Sequence, residues 1–265
     1  MTYVVAIILG FIEGATEFIP VSSSGHLIIF RRLFDTNDLS GLAFDAILQL
    51  SATLALIIYF WGDIWPLIKD VWRTIRRKNM ELQANKTLIY AILLGTIPAV
   101  FFGLIFENWM ETIFRNVELV ALTLILGSIL FWYAEKTAKQ NKSLSWVRGI
   151  IIGLFQCLAL VPGMSRSGST ISGGLIAGLS KDEAVRFSFL LSIPVLLGAG
   201  LKKLFEVRHG LLSMDFGLPL LLGCITAFIT GLFAINFLIN YLKTHNLNLF
   251  IWYRVVLAII LFLVF

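Results

Sequence analysis

Apolar residues along this chain come in long unbroken runs rather than at the spacings of half-buried strands or surface helices. Six runs, residues 42–61, 88–106, 117–133, 184–205, 217–240 and 249–265, suit the roughly 17–25 residues a helix needs to cross hydrocarbon. Two other stretches, 10–30 and 150–178, are apolar but interrupted by Pro20 and Pro162 and by clusters of Ser and Gly. Proline removes a helical hydrogen bond and clashes with the preceding turn, so neither stretch is an uninterrupted spanning helix. Each is predicted to be a re-entrant helical hairpin. Irregular backbone at membrane depth is tolerated only where protein buries it or where it lines a wet cavity, so the hairpins are expected to meet and enclose a site. The predicted fold is an all-α integral membrane protein with about six transmembrane helices plus two re-entrant hairpins. Residues 1–265 form a single membrane domain.

The pattern also repeats. Leu93-Leu94-Gly95-Thr96-Ile97-Pro98-Ala99 and Gly103 return 128 positions later as Leu221-Leu222-Gly223-Cys224-Ile225-Thr226-Ala227 and Gly231. Gly10-Phe11-Ile12-Glu13, with Pro20 and Ser24-Gly25 after it, is echoed by Gly153-Leu154-Phe155-Gln156, with Pro162 and Ser167-Gly168 after it. Each half reads as a hairpin followed by about three crossings, and an odd number of crossings inverts the second half. The halves are about 1–133 and 149–265.

Composition agrees with a lipid solvent: 58% of residues are hydrophobic and 14% charged, against about 25% charged in soluble domains. The net charge of +5 does not point to nucleic acid, because its sources lie in loops between apolar runs. Lys69, Arg73, Arg76, Arg77, Lys78 and Lys86 fall in 62–87, and Lys136, Lys139, Lys142 and Arg148 fall in or beside 134–148. The positive-inside tendency makes both loops cytoplasmic, with the second joining the two halves. The termini and the mouth of the first hairpin then face the other side. The start of the chain lacks a basic stretch and meets Glu13 and Glu17 before any cleavage site, so no cleavable signal is expected. Cys157 and Cys224 lie in apolar sequence and suggest no disulfide framework.

Chemistry collects in the hairpins. Glu13 and Glu17 stand four apart, on one face of a helix, and repel unless something cationic lies between them. An acidic residue at mid-membrane costs about 2.5–3.5 kcal/mol, which favours a metal ion or cationic partner over chance retention. Pro20-Val21-Ser22-Ser23-Ser24-Gly25-His26 follows, offering hydroxyls and an imidazole as nucleophile and proton carrier in either order. The second hairpin supplies Pro162-Gly163-Met164-Ser165-Arg166-Ser167-Gly168-Ser169-Thr170, an arginine among small residues that suits a phosphate. Ser22, Ser24, Gly163, Ser165, Arg166, Ser167 and Thr170 are the candidate phosphate contacts. Gln156 could orient a ligand or only pack helices. Asp45 and Gln49, four apart, are candidates for the same cavity. His209 and His245 are placed in or beside loops. An acid-and-base hairpin facing an anion-clamping one suits phosphoryl transfer.

At these residues the chain resembles the bacterial undecaprenyl-diphosphate phosphatase family, also called the bacitracin-resistance family, over its full length. Both motifs are present: acid-x-x-x-Glu followed by P-V-S-S-x-G-H, and P-G-x-S-R-S-G-x-T. The resemblance implies removal of the terminal phosphate of a lipid diphosphate in the bacterial plasma membrane, at a site facing the extracytoplasmic side. This regenerates the carrier for cell-wall polymers. It implies metal-linked or catalytic roles for Glu13 and Glu17, a phosphoryl-transfer role for Ser23 with His26, and a diphosphate clamp of Arg166, Ser165 and Thr170. Mg²⁺ or Ca²⁺ dependence is implied in the same way. Whether Ser23 or His26 attacks stays open, as does a homodimer.

Two other readings compete. Inverted repeats with broken helices also build secondary transporters, so a lipid-phosphate flippase is the alternative function. The membrane acid-phosphatase superfamily shares Ser-Gly-His fragments, but its second histidine with an aspartate four residues on is not matched, since Ser213 follows His209 at that spacing.

Overall fold

The computed structural model describes residues 2–34, 39–77, 85–106, 116–211 and 217–265. Lys78 and the rest of 78–84, like 107–115 and 212–216, lie outside the described residues. Helices follow one another from end to end: α1 (Tyr3–Phe18), α2 (Ser23–Leu33), α3 (Leu39–Tyr59), α4 (Trp61–Arg77), α5 (Lys86–Ile105), α6 (Val117–Thr137), α7 (Trp146–Cys157), α8 (Arg166–Ile176), α9 (Lys181–Leu211), α10 (Gly217–Thr244) and α11 (Asn248–Val264). A short 3₁₀ turn, Leu158–Leu160, extends α7.

The distribution of side chains is that of a protein solvated by lipid. Leu93, Ile97, Phe101, Leu221 and Phe233 are exposed, whereas Glu13, Glu17, His26, Gln156 and Arg254 are buried. Helices α5, α6, α9 and α10 are long and apolar enough to cross a membrane. Ala43–Tyr59 of α3 meets the same test together with Trp61–Thr74 of α4, from which it is bent by 82°, and α11 is an apolar helix of 17 residues. The chain is an all-α, multi-pass membrane protein.

Helix α4 corrects one expectation. Residues 62–77, read as part of a basic loop, continue as a helix at a steep angle to α3. Trp61, Trp65, Ile68 and Trp72 are exposed on it, and their spacing of three and four gathers them on one stripe. Lys69 lies over Trp65 and Arg76 over Trp72. A basic helix with a tryptophan stripe has the pattern of helices that lie in the headgroup layer.

The interrupted stretches form the two expected helical hairpins, α1–α2 and α7–α8. Each first arm crosses to the other half of the chain, where glycines let the backbones touch. A Cβ on Gly10 would fall 2.3 Å from the carbonyl oxygen of Gly223, and one on Gly153 would fall 2.1 Å from that of Gly95. In the sequence echo Gly10 corresponds to Gly153 and Gly95 to Gly223, so the two contacts are counterparts.

Candidate active site

Both hairpins turn in the same way. Ser22 and Ser165 precede α2 and α8 with φ of 77° and 69°, a left-handed backbone that costs a non-glycine residue about 1–3 kcal/mol and persists only where the surroundings enforce it. Each hydroxyl caps its helix, accepting from the N–H of Gly25 or Gly168 at 3.3 Å, and each lies within 3.4 Å of the serine two residues on. The Ser22 hydroxyl also accepts from the N–H of Gly163 at 3.0 Å, tying the two tips together. The N-termini of α2 and α8, with their positive dipole ends, thus serve one location.

Glu17 occupies that location. One carboxylate oxygen accepts from Ser23 Oγ, the other from Arg166 Nη2 at 3.0 Å, with both side chains of the ion pair at most one-tenth exposed. Arg166 retains two buried donors, Nε and Nη1, that meet no acceptor among the described residues. A buried, unsatisfied charged donor is expensive, so these two donors suit an anion that arrives with its own oxygens.

A cavity of about 890 Å³ opens beside this cluster, with Glu13, Ser23 and Ser24 in its wall. Glu13 is 1% exposed and feels the charges of Glu17, Asp45 and Arg166. No hydrogen bond or ion pair to its carboxylate occurs among the described residues. Asp45 and Gln49 do line the cavity, together with Arg31. Arg31 holds Asp45 bidentately through Nε at 2.8 Å and Nη2 at 2.5 Å.

The remaining candidates divide. Ser24 is exposed to the cavity, whereas Ser165, Ser167 and Thr170 are buried. The Thr170 hydroxyl is spent on the carbonyls of Arg166 and Ser167 and on Ser188, joining α8 to α9. Gly163 lends its N–H to Ser22 and cannot be replaced, since its φ is 96° and a Cβ would overlap Thr123 Oγ1 at 1.8 Å. His26 is not brought to Ser23. Its Nδ1 lies 2.7 Å from the carbonyl of Ser22, which can only accept, so Nδ1 carries the proton and Nε2 accepts from the Tyr253 hydroxyl at 2.7 Å. Both nitrogens are committed to holding the first tip. Gln156 is buried with both amide atoms unpartnered among the described residues, as are the hydroxyls of Ser169 and Ser172.

Arg254 was not singled out in the sequence, although a lone arginine in the apolar run 249–265 is a strong signal. It is fully buried and its guanidinium bonds the carbonyls of Gly163 at 2.8 Å, Met164 at 3.3 Å and Pro20 at 3.5 Å. It also lies 4.6 Å over the Phe131 ring. One cation thereby satisfies carbonyls that the two turns leave outside any helix.

The family described as bacitracin resistance protein BacA matches residues 6–260. The chain belongs to this family. Proteins named undecaprenyl-diphosphatase are similar to it throughout. That of Chlorobium chlorochromatii is 41% identical, over 96% of this chain and 94% of its own. That of Moorella thermoacetica is 39% identical, over 100% and 98%, and that of Mycolicibacterium smegmatis 40%, over 98% and 95%.

Proposed function

We propose that this chain hydrolyses undecaprenyl diphosphate to undecaprenyl phosphate and inorganic phosphate. The observation that carries this reading is Glu17 held between Ser23 and Arg166 where two helix N-termini converge. Ser23 Oγ attacks the terminal phosphorus while Glu17 takes its proton. The bond to the bridging oxygen breaks, and undecaprenyl phosphate leaves with that oxygen, which takes the proton from Glu17 and restores the carboxylate. Water then attacks the phosphoserine, giving its proton to Glu17, and phosphate departs as Ser23 regains a proton. Arg166 and the N–H groups of α2 and α8 hold the equatorial oxygens as charge builds on them. His26 and Tyr253 keep the first turn in place.

Glu13 fits a divalent cation. Among the described residues no group of three or more His, Cys, Asp or Glu could hold a metal, so an all-protein cage is not what the site offers. A buried carboxylate with no partner among the described residues, facing a cavity that would hold phosphate oxygens, suits the mixed coordination of Mg²⁺ or Ca²⁺. Such an ion would neutralise diphosphate charge. Purified protein in detergent is expected to release phosphate from undecaprenyl diphosphate, to stop when a chelator is added and to recover with Mg²⁺ or Ca²⁺. Glu13→Gln should need far more metal for the same rate. Absence of phosphate release would favour the flippase reading, since a transporter does no chemistry in detergent.

The crossed glycine contacts support an inverted repeat of halves 1–133 and 149–265, and loop charge supports a cytoplasmic 134–148 in a bacterial plasma membrane. The cavity then opens on the extracytoplasmic side. Lys139 is exposed, so a Lys139→Cys variant should resist a membrane-impermeant thiol reagent in intact cells and react after permeabilisation. Strong labelling of intact cells would reverse the orientation.

A further inference from the structure

The cavity is larger than a diphosphate requires, and its walls change character with distance from Glu13. Next to the cluster they are polar, whereas between α5 and α9 they consist of Ala99, Val100, Gly103, Val195, Gly198 and Ala199. The two helices touch nearer their N-terminal ends, where a Cβ on Gly95 would lie 3.0 Å from Leu191 Cδ1. Pro98 in α5 and Pro194 in α9 come next. Beyond them the described residues leave the space between the helices unfilled. A Cβ on Gly103 would find its nearest neighbour in Leu160 at 3.7 Å, and one on Gly198 would meet nothing within 4 Å.

Resting on the hydrolase reading, we infer that this gap between α5 and α9, at the level of Gly103 and Gly198, is the passage by which the polyprenyl tail leaves the cavity for the bilayer. Two observations separate it from the other way out. Val100 and Leu104 line the cavity and are also exposed, beside Phe101 and Leu201 on the outer apolar surface, so the gap leads to lipid. The rim formed by Arg32, Lys202, Lys203 and Glu206 is charged. It attracts a diphosphate and repels a hydrocarbon chain. An undecaprenyl chain exceeds what the cavity can enclose, so most of it must stay in lipid while the headgroup reacts. Glycine on both walls leaves the width that methyl-branched isoprene units need.

The test is Gly198→Phe, which puts a ring into the gap. Its Cβ meets none of the described residues within 4 Å, and glycine is a poor helix residue, so folding is not at risk. Gly103→Leu approaches from the opposite wall as a second variant. For each, kcat/KM is measured with undecaprenyl diphosphate and with farnesyl diphosphate. The long substrate is expected to lose about tenfold or more, within the range a steric change in an apolar pocket produces, and the short one distinctly less. Gly62→Phe, on α4 and equally open, should leave both values as they are. An unchanged ratio of the two substrates in both gap variants overturns the passage while leaving the hydrolase reading intact. Wild-type protein that releases phosphate from neither substrate overturns the hydrolase reading and the passage with it.

Discussion

Ser23→Ala is expected to fold and to lose turnover by roughly 10⁴-fold, between the contribution of one general base and that of a whole nucleophilic unit. Folding should survive because Ser22, not Ser23, caps α2, and alanine is the best helix former. Glu17→Gln removes the proton acceptor and the counter-charge of Arg166, and should fall nearly as far. The double variant should fall little further than either single one, because groups that act as a unit are not additive. The same experiment decides between Ser23 and His26. Wild-type protein quenched with acid during turnover of substrate labelled in its terminal phosphate should carry an acid-stable phosphoserine at position 23. An acid-labile phosphate at position 26, or near-normal turnover in Ser23→Ala, would mean that Ser23 is not the nucleophile.

That assignment could not be made from the sequence, and the reason is geometric. The order of Ser23 and His26 says that both lie near the first tip, but rotamers and a tyrosine 227 positions away decide where the imidazole points. Other features were legible because they depend on local chemistry alone. Apolar runs gave the crossing helices, and Pro20 and Pro162 among Ser and Gly gave the hairpins. Glu17 and Arg166 were each legible as functional because charge at membrane depth is costly, but their pairing was not, since the acids suggested a metal or an unnamed cation and the arginine a phosphate. Thr170 was misleading for a reason that recurs in helices: a threonine hydroxyl readily bonds the carbonyl four residues back, here that of Arg166. Helix α4 was hidden by its own charge, since Lys69, Arg73 and Arg76 drew attention to orientation while the tryptophan stripe carried the helical period.

The hairpins differ where their turns do not. Ser22 and Ser165 share backbone, cap and serine neighbour, yet the next residue is Ser23 in one and Arg166 in the other. Two equivalent positions thus deliver a hydroxyl and a guanidinium to opposite oxygens of one carboxylate. In the proposed mechanism, presenting different groups from matching positions meets a need of phosphoryl transfer: the attacking atom and the charge clamp must approach the same phosphorus from different sides.

Arg166→Lys tests that division. Lysine keeps a positive charge and can still pair with Glu17, so insertion and folding should be normal. It cannot supply the two further donors, Nε and Nη1, that arginine holds in a plane. If those donors meet phosphate oxygens as charge develops, the variant should turn over about 10²–10³-fold more slowly, roughly 2.7–4 kcal/mol of lost transition-state stabilisation. The split between kinetic parameters is informative: an interaction made mainly in the transition state lowers kcat with little change in KM, whereas a simple docking contact raises KM alone. Arg32→Lys, at the rim of the cavity, serves as the comparison, because attracting a headgroup needs charge and not a fork. Well-folded Arg166→Lys protein with wild-type kcat and KM would show that Arg166 merely anchors the second hairpin to Glu17.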